Sequence, residues 1–456
     1  MSRHRLVFLT ALSLGAALAA LTGLSAHAGP PGTWTRVTDP NGRNIDQVGV
    51  ARAGNGVLHV FWMRRDGPLE ESLRRTPVSP AGKVSGSSVV LGGLTSISDP
   101  DAVMLPDGRL RVFFAGLGDT SGAAGVMAAT GSAAGTGWKR EGIRVSSIRS
   151  ALGSVGAAVT AQGESVVSYT RSFVAAFKVG LDPNVPDTEI QPDKKCCDYV
   201  ADLATDAKTG RTMIAWYSNA TGRKGTWVQQ VLPSVGKRVL VPGSVSKGKA
   251  VGVDQRVAIA ARKGAPGVYV AACQGYPVCT RTLLWKVGGK AIAVGKSADV
   301  EDVHLSAGPE GRLWVAWHDG RTKRIHAART NKAATRVGPL LTVAPPKGTS
   351  SMWKLTGEGS LGALDLLVSA TTGSSLATWH TQVVPPLSLR ATKSQTQVTF
   401  SVTDAGDPVS GAKVSYGGKT VSTNAAGKAT TTITPGKVTA KGTKPGYQPV
   451  SASVTG

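Results

Sequence analysis

Five aspartates recur at a near-constant distance ahead of a turn glycine: Asp46 before Gly56, Asp99 before Gly108, Asp202 before Gly210, Asp254 before Gly264 and Asp302 before Gly311. Each lies eight to ten residues upstream of its glycine, and in a sixth unit, turning at Gly163, Ser154 takes the place. A carboxylate accepts hydrogen bonds from sugar hydroxyls or holds a cation. Two carboxyl groups about 5–10 Å apart cleave a glycosidic bond. Asp99, Asp101 and Asp302 are the candidates for such a pair. A structural role competes, in which the same side chains cap backbone amides of neighbouring strands.

Other chemistry is sparse. The sequence has no HExxH, no GxSxG, no P-loop and no dinucleotide fingerprint. Beyond residue 28 the histidines are His59, His304, His318, His326 and His380. His304, His318 and His326 fall on three different elements of one unit, so neither a metal site nor a cofactor is expected. Cys196 and Cys197 are adjacent, while Cys273 and Cys279 flank a five-residue loop. Neither pair has metal-ligand surroundings. A local Cys273–Cys279 bridge is expected, with the other two cysteines bonded to each other or across to that segment.

The elements that must position these residues repeat. Residues 50–62, 103–114 and 305–317 each read as an alternating strand, a glycine turn and a second strand ending in an aromatic: Trp62, Phe114 and Trp317. Looser copies turn at Gly163, Gly210 and Gly264, with strand ends at Tyr169, Trp216 and Tyr269. Successive turn glycines are 52, 55, 47, 54 and 47 residues apart, about the length of a four-stranded propeller blade. A further copy over 352–380 supplies three strands, and residues 33–37 are placed to add its fourth and close the ring. The expectation is an all-β chain: a seven-bladed β-propeller over 33–384, with six blades as the alternative. In that fold each blade's first strand lines the central channel and begins at one face. The recurrent acids would ring that mouth, joined by Arg64, Arg65, Asp66, Asp119, Arg171, Asn219, His318, Asp319 and Arg321 from the loops between second and third strands.

This rhythm resembles the sialidase-like, BNR-type propellers over about 350 residues. Their S-x-D-x-G-x-x-W box has no intact copy here; residues 132–138, ending in Trp138, form a reduced one that lacks the Asp. The F/Y-R-I-P segment, which supplies the family's carboxylate-binding arginine, is also missing. The resemblance therefore implies the fold and a carbohydrate-related role more than sialidase chemistry. After Pro385-Pro386 the composition changes: residues 387–456 lack Trp, Cys and His. The run 402–414, with 423–427 and 444–447, resembles bacterial immunoglobulin-like and carboxypeptidase-regulatory-like sandwiches. Seven short alternating strands fit the same Ig-like β-sandwich, a module expected to act as a spacer or docking unit.

The ends and the charge complete the picture. Arg3 and Arg5, an apolar stretch over 6–24 and Ala26-His27-Ala28 read as a secretory signal peptide over 1–28. The expected mature protein is released outside the cell, or held at its surface, with no membrane span. Net charge is +24 over the 456 residues. Removing Arg3 and Arg5 with that segment leaves +22, spread over both expected domains. No dense Lys/Arg run interleaved with aromatics points to nucleic acid, so extracellular polysaccharide or an anionic cell-envelope polymer is the expected partner. Together these features describe a secreted carbohydrate- or cell-surface-binding propeller, with a glycoside hydrolase or a protein-binding adhesion scaffold as alternatives.

Overall fold

A computed structural model describes residues 33–40, 47–117, 124–141, 152–171, 173–190, 197–244, 255–274 and 279–456. Gly56, Gly108, Gly163, Gly210, Gly264 and Gly311 all take positive φ, from 72° to 88°. That conformation excludes most side chains, which is why glycine marks each reversal between first and second strands. The Gly56 turn is typical: its amide donates to the Ala53 carbonyl at 2.9 Å, and the Ala53 amide to the Val57 carbonyl at 2.9 Å.

The described residues are all-β apart from one short 3-10 turn, Pro309–Gly311. Among them, no helix is long and apolar enough to cross a membrane. Up to residue 384 the strands form five four-stranded antiparallel sheets and one seven-stranded sheet. The seven-stranded sheet contains the 17-residue strand Ser88–Met104. Its first half pairs with Glu71–Val78 and its second with Leu110–Leu117. It thus ends one group of four and begins the next. Counted so, the described strands form seven groups of four, called units 1 to 7 below. Their first strands are Gly49–Arg52, the second half of Ser88–Met104, Leu152–Val159, Asp198–Asp206, Ala258–Ala261, Val300–Ala307 and Thr349–Glu358. Each touches the next, and the last touches the first. Unit 7 takes its outermost strand from the N-terminal side, where Thr35 pairs with His380 and Arg36 with Trp379.

The hydrophobic core is divided among the seams between units. Leu73 and Phe61 of unit 1 pack with Val112 and Phe114 of unit 2. Trp62, Val60 and Leu58 of unit 1 pack on the other side with Leu367 of unit 7. Trp62, Phe114, Tyr169, Trp216 and Trp317 are each at most 1% exposed. They lie in mid-strand rather than at strand ends. Unit 5 departs from the expected pattern, because Tyr269 is the second residue of Val268–Gln274. That strand runs on through Ala271, Ala272 and Cys273 to Gln274, and Cys273 is bonded to Cys279, 5.6 Å between Cα atoms. Cys197 is also disulfide-bonded; Cys196 lies outside the described residues.

The reduced box folds as a turn despite its missing Asp. Gly135 has φ 71°, the Trp138 indole N–H donates to the Gly135 carbonyl at 2.9 Å, and the Trp138 ring meets Phe61 edge-on at 5.5 Å. Arg75 of unit 1 donates to the Ala134 and Gly135 carbonyls, holding the turn from the neighbouring unit.

Beyond Pro385-Pro386 two sheets face each other. One holds Ser388–Lys393, Gln397–Asp404, Asp407–Pro408 and Lys428–Thr432; the other holds Lys413–Tyr416, Lys419–Ser422, Lys437–Thr443 and Val450–Thr455. Alternate residues Val398, Phe400 and Val402 of the first sheet bury against Val414, Tyr416, Ala440 and Val454 of the second, the period-two pattern of a half-buried sheet.

Candidate functional site

The first strand of each unit has one edge without a partner strand, so its backbone groups must be satisfied inside the channel. Its geometry there is irregular. Asp99, Val200, Asp302 and Lys354 take left-handed φ of 44° to 57°, and the pairing with the second strand slips around each of them. Such bulges re-aim backbone and side chains locally.

Arg256, 6% exposed, sits where these edges converge. Its guanidinium donates to the carbonyls of Val48 at 3.0 Å, Pro100 at 3.0 Å and Val155 at 2.8 Å, in units 1, 2 and 3. Its own amide donates to the Gln47 side-chain oxygen at 2.7 Å. The Gln47 side-chain nitrogen in turn reaches the Leu355 carbonyl of unit 7 at 3.3 Å. Gln255 donates to the Val303 carbonyl of unit 6 at 2.7 Å. Five carbonyls of five different units are therefore held by three side chains, and Arg256 alone ties three of those units together. Sequence reasoning missed Arg256, Gln47 and Gln255. Their signal is weak: each stands just ahead of a first strand, the stretch where Asp99 and Asp302 stand in theirs.

The recurrent acids do not share one position. Asp99 and Asp302 occupy the bulges, whereas Asp202 lies two residues past the bulge at Val200 and matches Asp101. Counting back from a glycine across a bulge loses the register. Asp46, Asp119 and Asp254 lie outside the described residues. Asp101 accepts the Ala157 amide of the next unit at 2.8 Å and stands 3.8 Å from Arg256. Burial holds its carboxyl above the ordinary range, against the opposing pull of Arg256 and two amides. Asp202 accepts the Leu203 amide at 2.7 Å and is held well above that range by burial and by the neighbouring Asp101. Small residues make room for them: a Cβ on Gly49 would lie 2.7 Å from the Asp101 Cα, and one on Gly156 would lie 2.7 Å from the Asp202 Cα.

Asp302 accepts the Lys354 amide of unit 7 at 2.9 Å. His318 stands between Asp302, 3.4 Å from Nδ1, and Glu301, 3.5 Å from Nε2. The remaining expected residues sit apart, in local pairs. Arg64 pairs with Asp39 at 3.0 Å and Asp66 at 3.3 Å, and Arg171 with Asp187 at 3.0 Å and with Glu189. Asp319 closes its own turn: it accepts the amides of Arg321 at 3.0 Å, Thr322 at 2.8 Å and Ala298 at 2.8 Å, and the Ser297 hydroxyl. These hydrogen bonds outweigh burial and hold its carboxyl far below the ordinary range. The Arg321 side chain is exposed. The structure thus unites Asp101 and Asp202 beside Arg256, and Asp302 with His318 and Glu301, and leaves Arg64, Arg171 and Asp319 elsewhere. Among the described residues no cluster of three or more His, Cys, Asp or Glu is arranged to hold a metal.

A cavity of about 70 Å³ lies beside Arg256, lined among others by Gln255, Arg256, Tyr217, Thr226 and Asp302. The Gln255 side-chain oxygen is buried without a hydrogen-bond partner. The space is small beside the roughly 300–1,000 Å³ of most small-molecule sites.

No protein-family model matches the chain, and no curated protein matches it. Solved structures resemble it in fold. An α-L-arabinanase from Penicillium chrysogenum, complexed with arabinobiose, is 10% identical with TM-score 0.46, over 66% of this chain and 98% of its own. The intramolecular trans-sialidase from Ruminococcus gnavus is 8% identical with TM-score 0.45, over 67% and 98%. The β-propeller domain of the Trilobed protease from Pyrococcus furiosus is 9% identical with TM-score 0.43, over 75% and 98%. Likenesses this distant concern shape and carry no information on what the present chain binds.

Proposed function

We propose that this chain is a secreted, carbohydrate-binding propeller that acts outside the cell or at its surface. In this reading the seven units are seven blades spanning 33–384, Pro385-Pro386 is a linker, and 387–456 is an Ig-like sandwich. Residues 1–28 are the signal peptide. The observation that carries the reading is the network around Arg256. Arg256 ties units 1, 2 and 3 together from unit 5, and Asp101, Asp202 and Asp302 near it each hold a backbone amide. Carboxylates engaged in the frame in this way favour holding a glycan over cleaving one. The net charge of +24, or +22 once Arg3 and Arg5 leave with the signal peptide, favours polysaccharides or envelope polymers that are themselves anionic, through fields that salt screens.

The test is incubation of the secreted protein with a panel of polysaccharides, measuring bound material and new reducing ends together, across a salt series. Retention without new ends, weakening as salt rises, is the expected outcome. New reducing ends that vanish in Asp101→Asn or Asp302→Asn would replace binding with hydrolysis, and absence of retention on every polymer would overturn the reading.

A further inference from the structure

Unit 4 carries a groove of about 450 Å³ at its outer edge, lined by Arg223, Trp227, Gln229, Gly236, Lys237 and Arg238. Small-molecule sites span about 300–1,000 Å³, so this space, unlike the cavity beside Arg256, takes a whole sugar ring. Trp227 and Gln229 alternate along Gly225–Leu232 and so share a face. The Trp227 indole N–H donates to the Arg223 carbonyl at 2.9 Å, which fixes the ring. Gln229 is 6% exposed, and its side-chain nitrogen donates to the Gly236 carbonyl at 2.7 Å. Its oxygen is buried with no hydrogen-bond partner, although buried acceptors are nearly always satisfied. Lys237 and Arg238 are exposed at the rim. Arg223 and Arg238 act on the Asp198 carboxylate, and Lys237 adds a third, exposed positive charge to the lining.

We infer that this groove binds an acidic saccharide. The apolar face of the sugar lies on Trp227, a hydroxyl donates to the Gln229 oxygen, and the carboxylate meets Lys237 and Arg238. The demands are complementary: the orphaned acceptor calls for a donor, the cations for an anion and the indole for a flat apolar face. A uronate supplies all three in one ring, whereas inorganic phosphate supplies the charge alone. The inference rests on the carbohydrate-binding reading and gives it a ligand class and a location away from the channel mouth.

Calorimetric titration of the full secreted protein tests it, using tetragalacturonate as the probe, with maltotetraose and inorganic polyphosphate as comparisons. Tetragalacturonate should bind more tightly than either comparison. Lys237→Glu, at an exposed site, should weaken it at least tenfold with melting unchanged. Gln229→Met, which removes the acceptor and keeps the bulk, should weaken it severalfold at any salt concentration. Unchanged affinity in both variants overturns the groove, and retention of polysaccharide elsewhere on the chain would then leave the broader reading standing. Equal binding of polyphosphate with the same sensitivity to Lys237→Glu reduces the groove to a charge patch. If neither tetragalacturonate nor any polymer in the panel is retained, both readings fall.

Discussion

At the scale of single residues, Arg256 has the widest reach in the ring, because one guanidinium satisfies carbonyls of three units and faces the Asp101 carboxyl. Replacing it with Met leaves three buried acceptors and a buried acid without their cation. The expected loss is about 3–5 kcal/mol, read from the urea midpoint. His304 gives a second residue-scale test. Burial pushes its imidazole down to about 4, although the Gly357 carbonyl accepts from its Nε2 at 2.9 Å and opposes the shift. A folded pKa below the unfolded value of 6.5 means that the unfolded chain binds the extra proton between pH 6.5 and 4. Stability from neutral His304 is therefore complete above about pH 6.5 and lost as pH falls through 4, by about 3 kcal/mol. The stability gap between wild type and His304→Gln should shrink over that window in paired melts. A gap independent of pH would refute the assignment.

At the scale of elements, the crowding of adjacent first strands makes a sharper test than turn glycines do. An Ala at Gly49 would set its Cβ 2.7 Å from the Asp101 Cα and the Pro100 carbonyl oxygen, both backbone atoms that cannot swing away. Gly49→Ala should cost about 1–3 kcal/mol. Gly92→Ala, with open space around the added methyl, should fall within about 0.5 kcal/mol of wild type. Comparing the two thermal midpoints checks the claim that neighbouring units touch backbone to backbone here. The contrast also marks what the sequence made legible. Turn glycines such as Gly56 and Gly108 could be read because their positive φ is a local requirement, and buried aromatics such as Trp62 and Phe114 because they repeat at one place in the second strand. The role of Arg256 could not be read, because its partners lie in three other units, brought to it by closure of the ring. Nor could the alignment of Asp202 with Asp101 survive an unannounced bulge. Tyr269 was misplaced for a similar reason: unit 5 puts Ala272 where other units put an aromatic.

At the scale of the whole molecule, the two C-terminal sheets are fastened to the ring by more than the Pro385-Pro386 connection. The hairpin residues Asp404 and Asp407 enter unit 6. Arg312 meets Asp407 at 2.8 Å and Asp404 at 3.4 Å, and Arg329 also pairs with Asp404. Arg336 donates to the Ala405 carbonyl at 2.8 Å. Both Arg312 and Arg329 have side chains 4% exposed, so their charges depend on these partners. Arg329 also lies between the rings of Trp314 and Tyr447, 5.5 and 5.4 Å from their centroids. The double change Asp404→Asn, Asp407→Asn should release the two C-terminal sheets, raising the radius of gyration in solution scattering and exposing the segment around Pro385-Pro386 to protease. Unchanged scattering would mean that the two carboxylates are not what holds the two parts together.

The chain leaves the ring from unit 7, next to the seam where the short strand Thr35–Arg36 closes the ring, yet the C-terminal sheets grip unit 6. A protein tethered at a surface through its C-terminal sheets, and pulled by a polymer held on the propeller, would carry the load through Arg312 and Arg329. The tension would enter a unit whose four strands are consecutive in sequence, and the seam would be spared.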